Sequence, residues 1–270
     1  MTQKLMFTKM HGCGNDYIYI NMMEEKIADP QAAAIALSDR HKGIGSDGLV
    51  LIGASTVPEA DYSMHIYNAD GSEAMMCGNG IRCVGKYVYD KGYTDDTHLR
   101  IETLSGIKEL ELTVAHGKVQ RVTVQMGKAS VRAEESLRIA AQELRYIPVS
   151  VGNPHAVFFT ENAEAVPLET WGPQIEHHPD FPDGVNAEFV QVLSDTELRM
   201  RVWERGSGVT MACGTGSCAS AAAAVRKGYC RQGEPIAVHL DGGTLYIQAD
   251  ADGTVTMTGP AEIVYEGETV

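Results

Sequence analysis

Met76-Cys77-Gly78-Asn79-Gly80-Ile81-Arg82-Cys83 and Ala212-Cys213-Gly214-Thr215-Gly216-Ser217-Cys218 are the two stretches on which the reading of this chain turns. Each contains Cys-Gly-x-Gly and follows a strand-like segment and a Gly-Ser pair. Each opens a helical run that ends at Lys-Gly-Tyr, residues 91–93 and 227–229. The two cysteines are 136 residues apart in a chain of 270. One such match carries little weight, but two, offset by half the chain, point to a duplicated unit. The chain therefore reads as two similar halves, each placing one cysteine at the N-terminus of a helix.

Working outward, one of these helices is expected from about Gly80 to Lys91 and the other from about Gly216 to Lys227, each stopped by a glycine. A further helix, Gln31 to His41, follows the N-cap and proline of Asp29-Pro30. Glu134 to Leu144 and Pro167 to Glu176 are additional helical candidates. Most of the remainder reads as short strands: Leu5–Met10, Tyr17–Asn21, Leu49–Ile52, Tyr62–Tyr67, Ala187–Leu193, Glu197–Glu204, Ile236–Leu240, Thr244–Ala249 and Thr254–Thr258. Glu109–Val114 and Val119–Met126 read as a hairpin turning at His116-Gly117.

A cysteine in the first turn of a helix meets backbone N–H groups that the helix leaves unpaired, and a partial positive charge. Both stabilise a thiolate, so a value below the ordinary ~8.5 is expected for each sulfur. The same N–H groups suit a carboxylate. If two such units face one another, a single substrate carboxylate can be held by two helix ends with a sulfur on each side of the neighbouring carbon. That constellation fits inversion at a carbon α to a carboxylate: one sulfur removes the proton as thiolate and the other, as thiol, delivers one to the opposite face. Dipoles already aimed at the developing charge stabilise it.

The rest of the composition narrows the field. With 36 acidic against 22 basic side chains the net charge is −14, which argues against binding nucleic acid through phosphates. No apolar run approaches the ~18–20 residues of a membrane span, and the N-terminus lacks a signal-like apolar stretch, so a cytoplasmic protein with reduced thiols is expected. The Cys-x5-Cys and Cys-x4-Cys spacings are not those of zinc sites. No Gly-x-Gly-x-x-Gly strand-to-helix fingerprint with its downstream acid is present. Neither metal nor cofactor is expected. Cys83, Cys218 and Cys230 read as packing residues, as does Cys13 in its loop.

Several polar clusters accompany the sulfurs: Asn68-Ala-Asp-Gly-Ser-Glu, Gly152-Asn-Pro-His155, Gly184-Val-Asn186 and Glu204-Arg-Gly-Ser-Gly. Taken alone each is as much a turn as a ligand. Arg205 either forks onto a second carboxylate or is solvated; His155 polarises a cysteine or caps a strand; Glu204 binds an ammonium or lies at the surface.

Together with Met10-His-Gly-Cys-Gly-Asn-Asp-Tyr17, Gly43-Ile-Gly-Ser-Asp-Gly-Leu49 and Gly184-Val-Asn-Ala-Glu-Phe189, these segments resemble, in order and over most of the chain, the diaminopimelate epimerase family. The resemblance implies an α+β fold of two pseudosymmetric halves, each a strand-rich, barrel-like sheet wrapped around a central helix. The halves are expected at 1–126, completed by strand 261–270, and at 127–260. It implies a cofactor-independent isomerase converting LL- to meso-diaminopimelate on the way to lysine and peptidoglycan, usually as a homodimer. By position, Cys77 and Cys213 match the two catalytic sulfurs, and His155 and Glu204 the pair that assists them. Gly78, Asn79, Gly214 and Thr215 match the residues holding the reacting carboxylate. Asn15, Asn68, Asn153, Asn186, Glu204 and Arg205 match those binding the substrate and its distal end. Two positions depart from the family pattern. Gly48 stands where some members carry glutamine, and Val209 where glutamate is common. A proline racemase-like enzyme shares the two-cysteine plan without needing Arg205 and the asparagines; a non-catalytic thiol protein is the rival of another class.

Overall fold

The computed structural model describes residues 4–139 and 142–270. The chain divides into two compact units, Met1–Val124 with Gly259–Val270, and Gln125–Thr258.

The first unit contains β1 (Met6–Gly12), β2 (Asn15–Asn21), α1 (Pro30–Ser38), β3 (Gly48–Ala54), β4 (Tyr62–Asn68), β5 (Glu73–Ala74), α2 (Gly78–Asp90), β6 (His98–Thr103), β7 (Gly106–Ala115) and β8 (Lys118–Lys128), whose last residues enter the second unit. The second continues with β9 (Ser130–Val131), β10 (Glu135–Ile139), β11 (Gln142–Ser150), β12 (Pro154–Phe159), α3 (Leu168–Glu176), β13 (Asn186–Ser194), β14 (Glu197–Glu204), β15 (Gly208–Val209), α4 (Gly214–Arg226), β16 (Ile236–Leu240), β17 (Gly243–Ala249) and β18 (Thr254–Gly259). The last strand, β19 (Glu262–Glu268), returns to the first unit and pairs antiparallel with β1.

Strand pairing repeats from one unit to the next. In the first, β1 and β2 are antiparallel, β2 and β3 parallel, β3 and β4 antiparallel, β4 and β6 parallel, and β6 and β7 antiparallel. In the second, β11 through β14, β16 and β17 repeat that series with the same senses. The short β5 and β15 sit on β4 and β14 in corresponding places, and α1 and α3 fill corresponding crossovers. The fold is α+β, with two halves built on one plan.

The sheet of each unit wraps its long helix. Residues 78–88 of α2 are buried throughout, and so is almost all of α4 from Gly214 to Ala224. A helix enclosed on every side must be apolar or have its polar groups satisfied. In α4, Ala219 and Ala221–Ala224 allow the strands to pack close. In α2, Lys86 donates to Val119 O at 2.7 Å and pairs with Asp90 at 2.8 Å, and Arg82, 0% exposed, is bonded to backbone and to Asn79.

The turns follow their local chemistry. His116 (φ 53°) and Gly117 (φ 71°) both take the left-handed conformation that a two-residue hairpin turn demands. Cys13 (φ 54°) and Gly14 (φ 82°) do the same between β1 and β2, so the loop assigned to Cys13 is a tight turn that buries its thiol. The segment from Glu134 is not a helix. Glu135–Ile139 pairs antiparallel with Gln142–Tyr146 and packs Leu137 and Ile139 into the core; Ala140 and Ala141 lie outside the described residues. Apolar and polar residues alternate in Ser136-Leu-Arg-Ile139, which is the strand period.

Candidate active site

Both long helices begin two residues earlier than their sequence pattern suggests, at Gly78 and Gly214, so each cysteine is itself the N-cap. Cys77 (φ −133°, ψ 119°) accepts the N–H of Gly80 on its sulfur at 3.4 Å, and Cys213 (φ −117°, ψ 111°) that of Gly216 at 3.3 Å. The thiol takes the place of the usual hydroxyl or carboxylate cap.

In the first unit the Cys77 sulfur donates to Asn15 Oδ1 at 3.4 Å, which also receives Asn79 Nδ2 at 3.3 Å. Asn15 is held in turn by Asp47, which accepts its Nδ2 at 2.8 Å and the Asp16 N–H at 3.0 Å, and pairs with Arg40. Asn79 is oriented from below by Arg82, whose guanidinium donates to Asn79 Oδ1 at 2.9 Å, Gly78 O at 3.0 Å and Pro260 O at 3.1 Å. Burial, and after it the Cys77 sulfur, raises the Tyr17 phenol well above its ordinary value. Asn68 donates to Ser72 Oγ at 3.0 Å at the end of β4. Gly48, opposite Asn68, has no room for a side chain: a Cβ there would lie 2.2 Å from Tyr67 O. The glutamine of some family members is thus excluded by the backbone as it stands.

In the second unit Cys213 is 5% exposed and lies 3.6 Å from the Thr215 hydroxyl. Asn153 Nδ2 donates to that hydroxyl at 3.3 Å, and Asn153 Oδ1 lies 2.9 Å from His155 Nε2. The other ring nitrogen of His155 meets Glu188 Oε1 at 2.6 Å, with both side chains wholly buried. Glu204 accepts from the Thr210 hydroxyl. Burial pushes the Glu204 carboxyl up, opposed by the hydrogen bonds from Thr210 and Cys213. Asn186 ties the start of β12 to the end of β14, donating to Pro154 O at 3.0 Å and accepting the Arg205 N–H at 2.9 Å. The exposed Arg205 guanidinium donates to Asp183 O at 3.0 Å. The exposed Val209 pairs with Trp203.

One expectation is reversed. The Cys213 thiol lies well above its ordinary value, not below it. Burial is the main cause, the charges of Glu204 and Glu188 add to it, and the Gly216 N–H and Thr215 hydroxyl offset only part. A helix end stabilises a thiolate only where solvent or positive charge assists.

Pairing also aligns the two units residue by residue. Tyr17 in β2 stands where His155 stands in β12, and Val50 in β3 where Glu188 stands in β13. Asn68 and Glu204 each follow the paired Tyr67 and Trp203. Each helix end thus carries a sulfur, an asparagine from the preceding sheet, and first-turn N–H groups of the kind a helix does not use internally: Gly78 and Asn79 in one, Gly214 and Thr215 in the other. Such an end can hold a carboxylate and present a proton-transferring sulfur beside it. Among the described residues no group of three or more His, Cys, Asp or Glu side chains could hold a metal ion, and no helix is long and apolar enough to cross a membrane.

Glu188, Tyr17, Asp47 and Arg82 were not singled out from the sequence, although signals for two of them were there. Glu188 is two residues beyond Asn186 on a strand and so shares its face. Arg82 is one helical turn beyond Gly78.

Comparison with known proteins gives the family. A family model described as diaminopimelate epimerase matches residues 7–132 and 147–264. The diaminopimelate epimerase of Parabacteroides distasonis is 54% identical over 270 residues, covering 99% of this chain and 98% of its own. That of Acetivibrio thermocellus is 51% identical over 278 residues, covering 98% of both chains. Among solved structures, a hydroxyproline epimerase from Agrobacterium vitis has a TM-score of 0.73 at 18% identity, covering 99% of this chain and 93% of that one. A methylitaconate-delta-isomerase gives 0.70 at 16%, covering 99% and 95%. At such identities the likeness speaks for the fold alone. Both cysteine-capped helix ends fall inside the matched residues, and the sequence relatives run the length of the chain: it belongs to the diaminopimelate epimerase family.

Proposed function

We propose that this chain interconverts LL- and meso-diaminopimelate without a cofactor, with Cys77 and Cys213 as its two acid–base groups. The observation that carries the reading is the repeated helix end, in which a cysteine sulfur caps each of two buried helices on one strand plan. Inversion at an α-carbon needs one group to take a proton from one face and another to return a proton to the opposite face. Two sulfurs on two repeated units supply that pair. The thiolate takes the α-proton, the electron pair left behind is stabilised through the α-carboxylate by helix-end N–H groups, and the other thiol protonates the carbon. The sulfurs finish with their protonation states exchanged, and proton exchange with water, or the reverse reaction, restores them.

His155 and Glu204 assist proton transfer at Cys213. Gly78, Asn79, Gly214 and Thr215 hold the reacting carboxylate. Asn15, Asn68, Asn153, Asn186, Glu204 and Arg205 bind the remainder of the substrate, whose distal ammonium and carboxylate suit a half-buried carboxylate and a guanidinium fork. The reading places the protein in the cytoplasm as a homodimer on the way to lysine and peptidoglycan; sedimentation at micromolar concentration tests the dimer.

The deciding experiment is proton NMR in D2O. The α-proton signal of LL-diaminopimelate should disappear with enzyme alone, and meso product should appear with deuterium at the inverted carbon. Proline serves as the control substrate. Exchange on proline and none on diaminopimelate would reject the assignment.

A further inference from the structure

The two helix ends are not chemically even. Where β3 carries Val50, the corresponding place in β13 carries Glu188, 0% exposed. The backbone of the first unit shows that the fold accepts an apolar residue in this place. A carboxylate buried here costs stability unless every oxygen is satisfied. Among the described residues, Glu188 Oε2 finds no hydrogen-bond partner. Its other oxygen heads a continuous chain to the sulfur: Glu188 Oε1 to His155 Nδ1 at 2.6 Å, His155 Nε2 to Asn153 Oδ1 at 2.9 Å, Asn153 Nδ2 to Thr215 Oγ1 at 3.3 Å, and Thr215 Oγ1 to Cys213 Sγ at 3.6 Å. Glu188 is also close to the sulfur directly, since a Cβ on Gly216 would stand 2.8 Å from Glu188 Oε1 and 3.1 Å from Cys213 Sγ.

We propose that Glu188 is a positioning residue for the reaction: its carboxylate fixes the ring of His155 and, through Asn153 and Thr215, the setting of Cys213. A carboxylate behind a histidine sets which ring nitrogen carries the proton and where the ring points. The first unit, with Tyr17 and Val50 in these places, lacks the arrangement. An inversion needs one sulfur as acid while the other is base, and this asymmetry makes Cys213 the resting acid. The groups that set the charge around Cys213 are Glu204 from β14, Glu188 from β13 with His155 from β12 on its far side, and the Gly216 N–H and Thr215 hydroxyl of α4.

The inference rests on the proposed reaction, and its test can fail separately. Glu188→Gln keeps the shape and removes the charge. It should lower kcat roughly 10–100-fold with little change in KM, the usual cost of removing a group that orients a working histidine. Alkylation by iodoacetamide across pH, followed by peptide mapping, should show the Cys213 profile displaced to lower pH and the Cys77 profile unmoved. Glu188→Asp keeps the charge and should leave the Cys213 profile in place while losing rate through the longer His155 contact. Wild-type kcat in either variant, an unmoved Cys213 profile in Glu188→Gln, or an equal displacement of Cys77 would each overturn the proposal. Should Glu188→Gln not fold, the rate of Glu188→Asp decides. If the wild-type protein exchanges no α-proton of diaminopimelate, the functional reading falls while the alkylation profiles still report on Glu188.

Discussion

Gly80 and Gly216 occupy the same position in the two repeats, yet alanine should act on them in opposite senses. Both lie in the first turn of a helix with ordinary helical backbone, so alanine gains from reduced freedom of the unfolded chain, by about 0.4–1 kcal/mol. At Gly80 the new methyl would meet Cys77 Cβ at 3.4 Å, its sulfur at 3.7 Å and Ile66 Cδ1 at 3.8 Å, all ordinary contacts. At Gly216 it would meet Glu188 Oε1 at 2.8 Å, Cys213 Sγ at 3.1 Å and Glu188 Cγ at 3.2 Å. The first of these cannot persist, and the side chain that must give way is buried and hydrogen-bonded. Overpacking of this kind costs about 1–3 kcal/mol. Because the propensity gain is common to both variants, the difference between them isolates the packing cost, about 1–3 kcal/mol. Gly80→Ala should therefore melt at or slightly above the wild-type temperature, and Gly216→Ala several degrees below Gly80→Ala. Displacing Cys213 by a few tenths of an ångström should also cost Gly216→Ala roughly tenfold or more in kcat, since misplacement of about 1 Å can cost ~10²-fold. Thermal denaturation and steady-state rates on the two purified variants suffice. Equal melting temperatures and equal rates would refute the claim that Glu188 crowds the second helix end.

Cys77→Ala and Cys213→Ala should each abolish epimerisation, by roughly 10³-fold or more, while circular dichroism stays native; near-normal turnover by either would end the two-sulfur reading. Arg82→Met should destabilise the protein by about 2–5 kcal/mol, because the buried acceptors Gly78 O, Asn79 Oδ1 and Pro260 O lose a charged donor; a urea midpoint within error of wild type would contradict it. For Glu204 the folded carboxyl is raised by burial. A raised group favours the fold below its unfolded value and loses that contribution as pH rises through the folded one. Glu204→Gln should thus gain stability relative to wild type between mildly acidic and neutral pH while losing activity; melting curves at both ends that differ from wild type by the same amount would show that the carboxyl is not raised.

The chemistry legible along the chain was the part carried by local rules. Cys-Gly-x-Gly before an alanine-rich or amphipathic run marks a helix start, because glycine permits the approach and the run that follows has helical period. The same holds for His116-Gly117, whose turn needs positive φ at both residues, and for Asp29, which caps the Ala32 N–H at 3.0 Å. Those rules suffice to mark the two helix-capping cysteines and the duplicated plan. They placed the two helix starts two residues late, because a cysteine acting as its own cap leaves no polar cap residue to read. The segment from Glu134 reads along the chain as a helical candidate, and β11 as a hydrogen-bonding partner makes its residues 135–139 a strand.

What tertiary structure alone decided was the electrical character of the site. Glu188 and His155 lie 33 residues apart and meet at 2.6 Å because β12 and β13 run parallel in one register. Arg82 reaches Pro260 across 178 residues of chain because the last strand folds back onto the first. Whether a cysteine at a helix end is an acid or a base depends on what is buried around it, and burial is a property of neighbours brought from elsewhere in the chain. The spacing of residues could thus name both sulfurs, but it could not tell that the fold surrounds Cys213 with carboxylates and makes the two ends of a duplicated protein unlike.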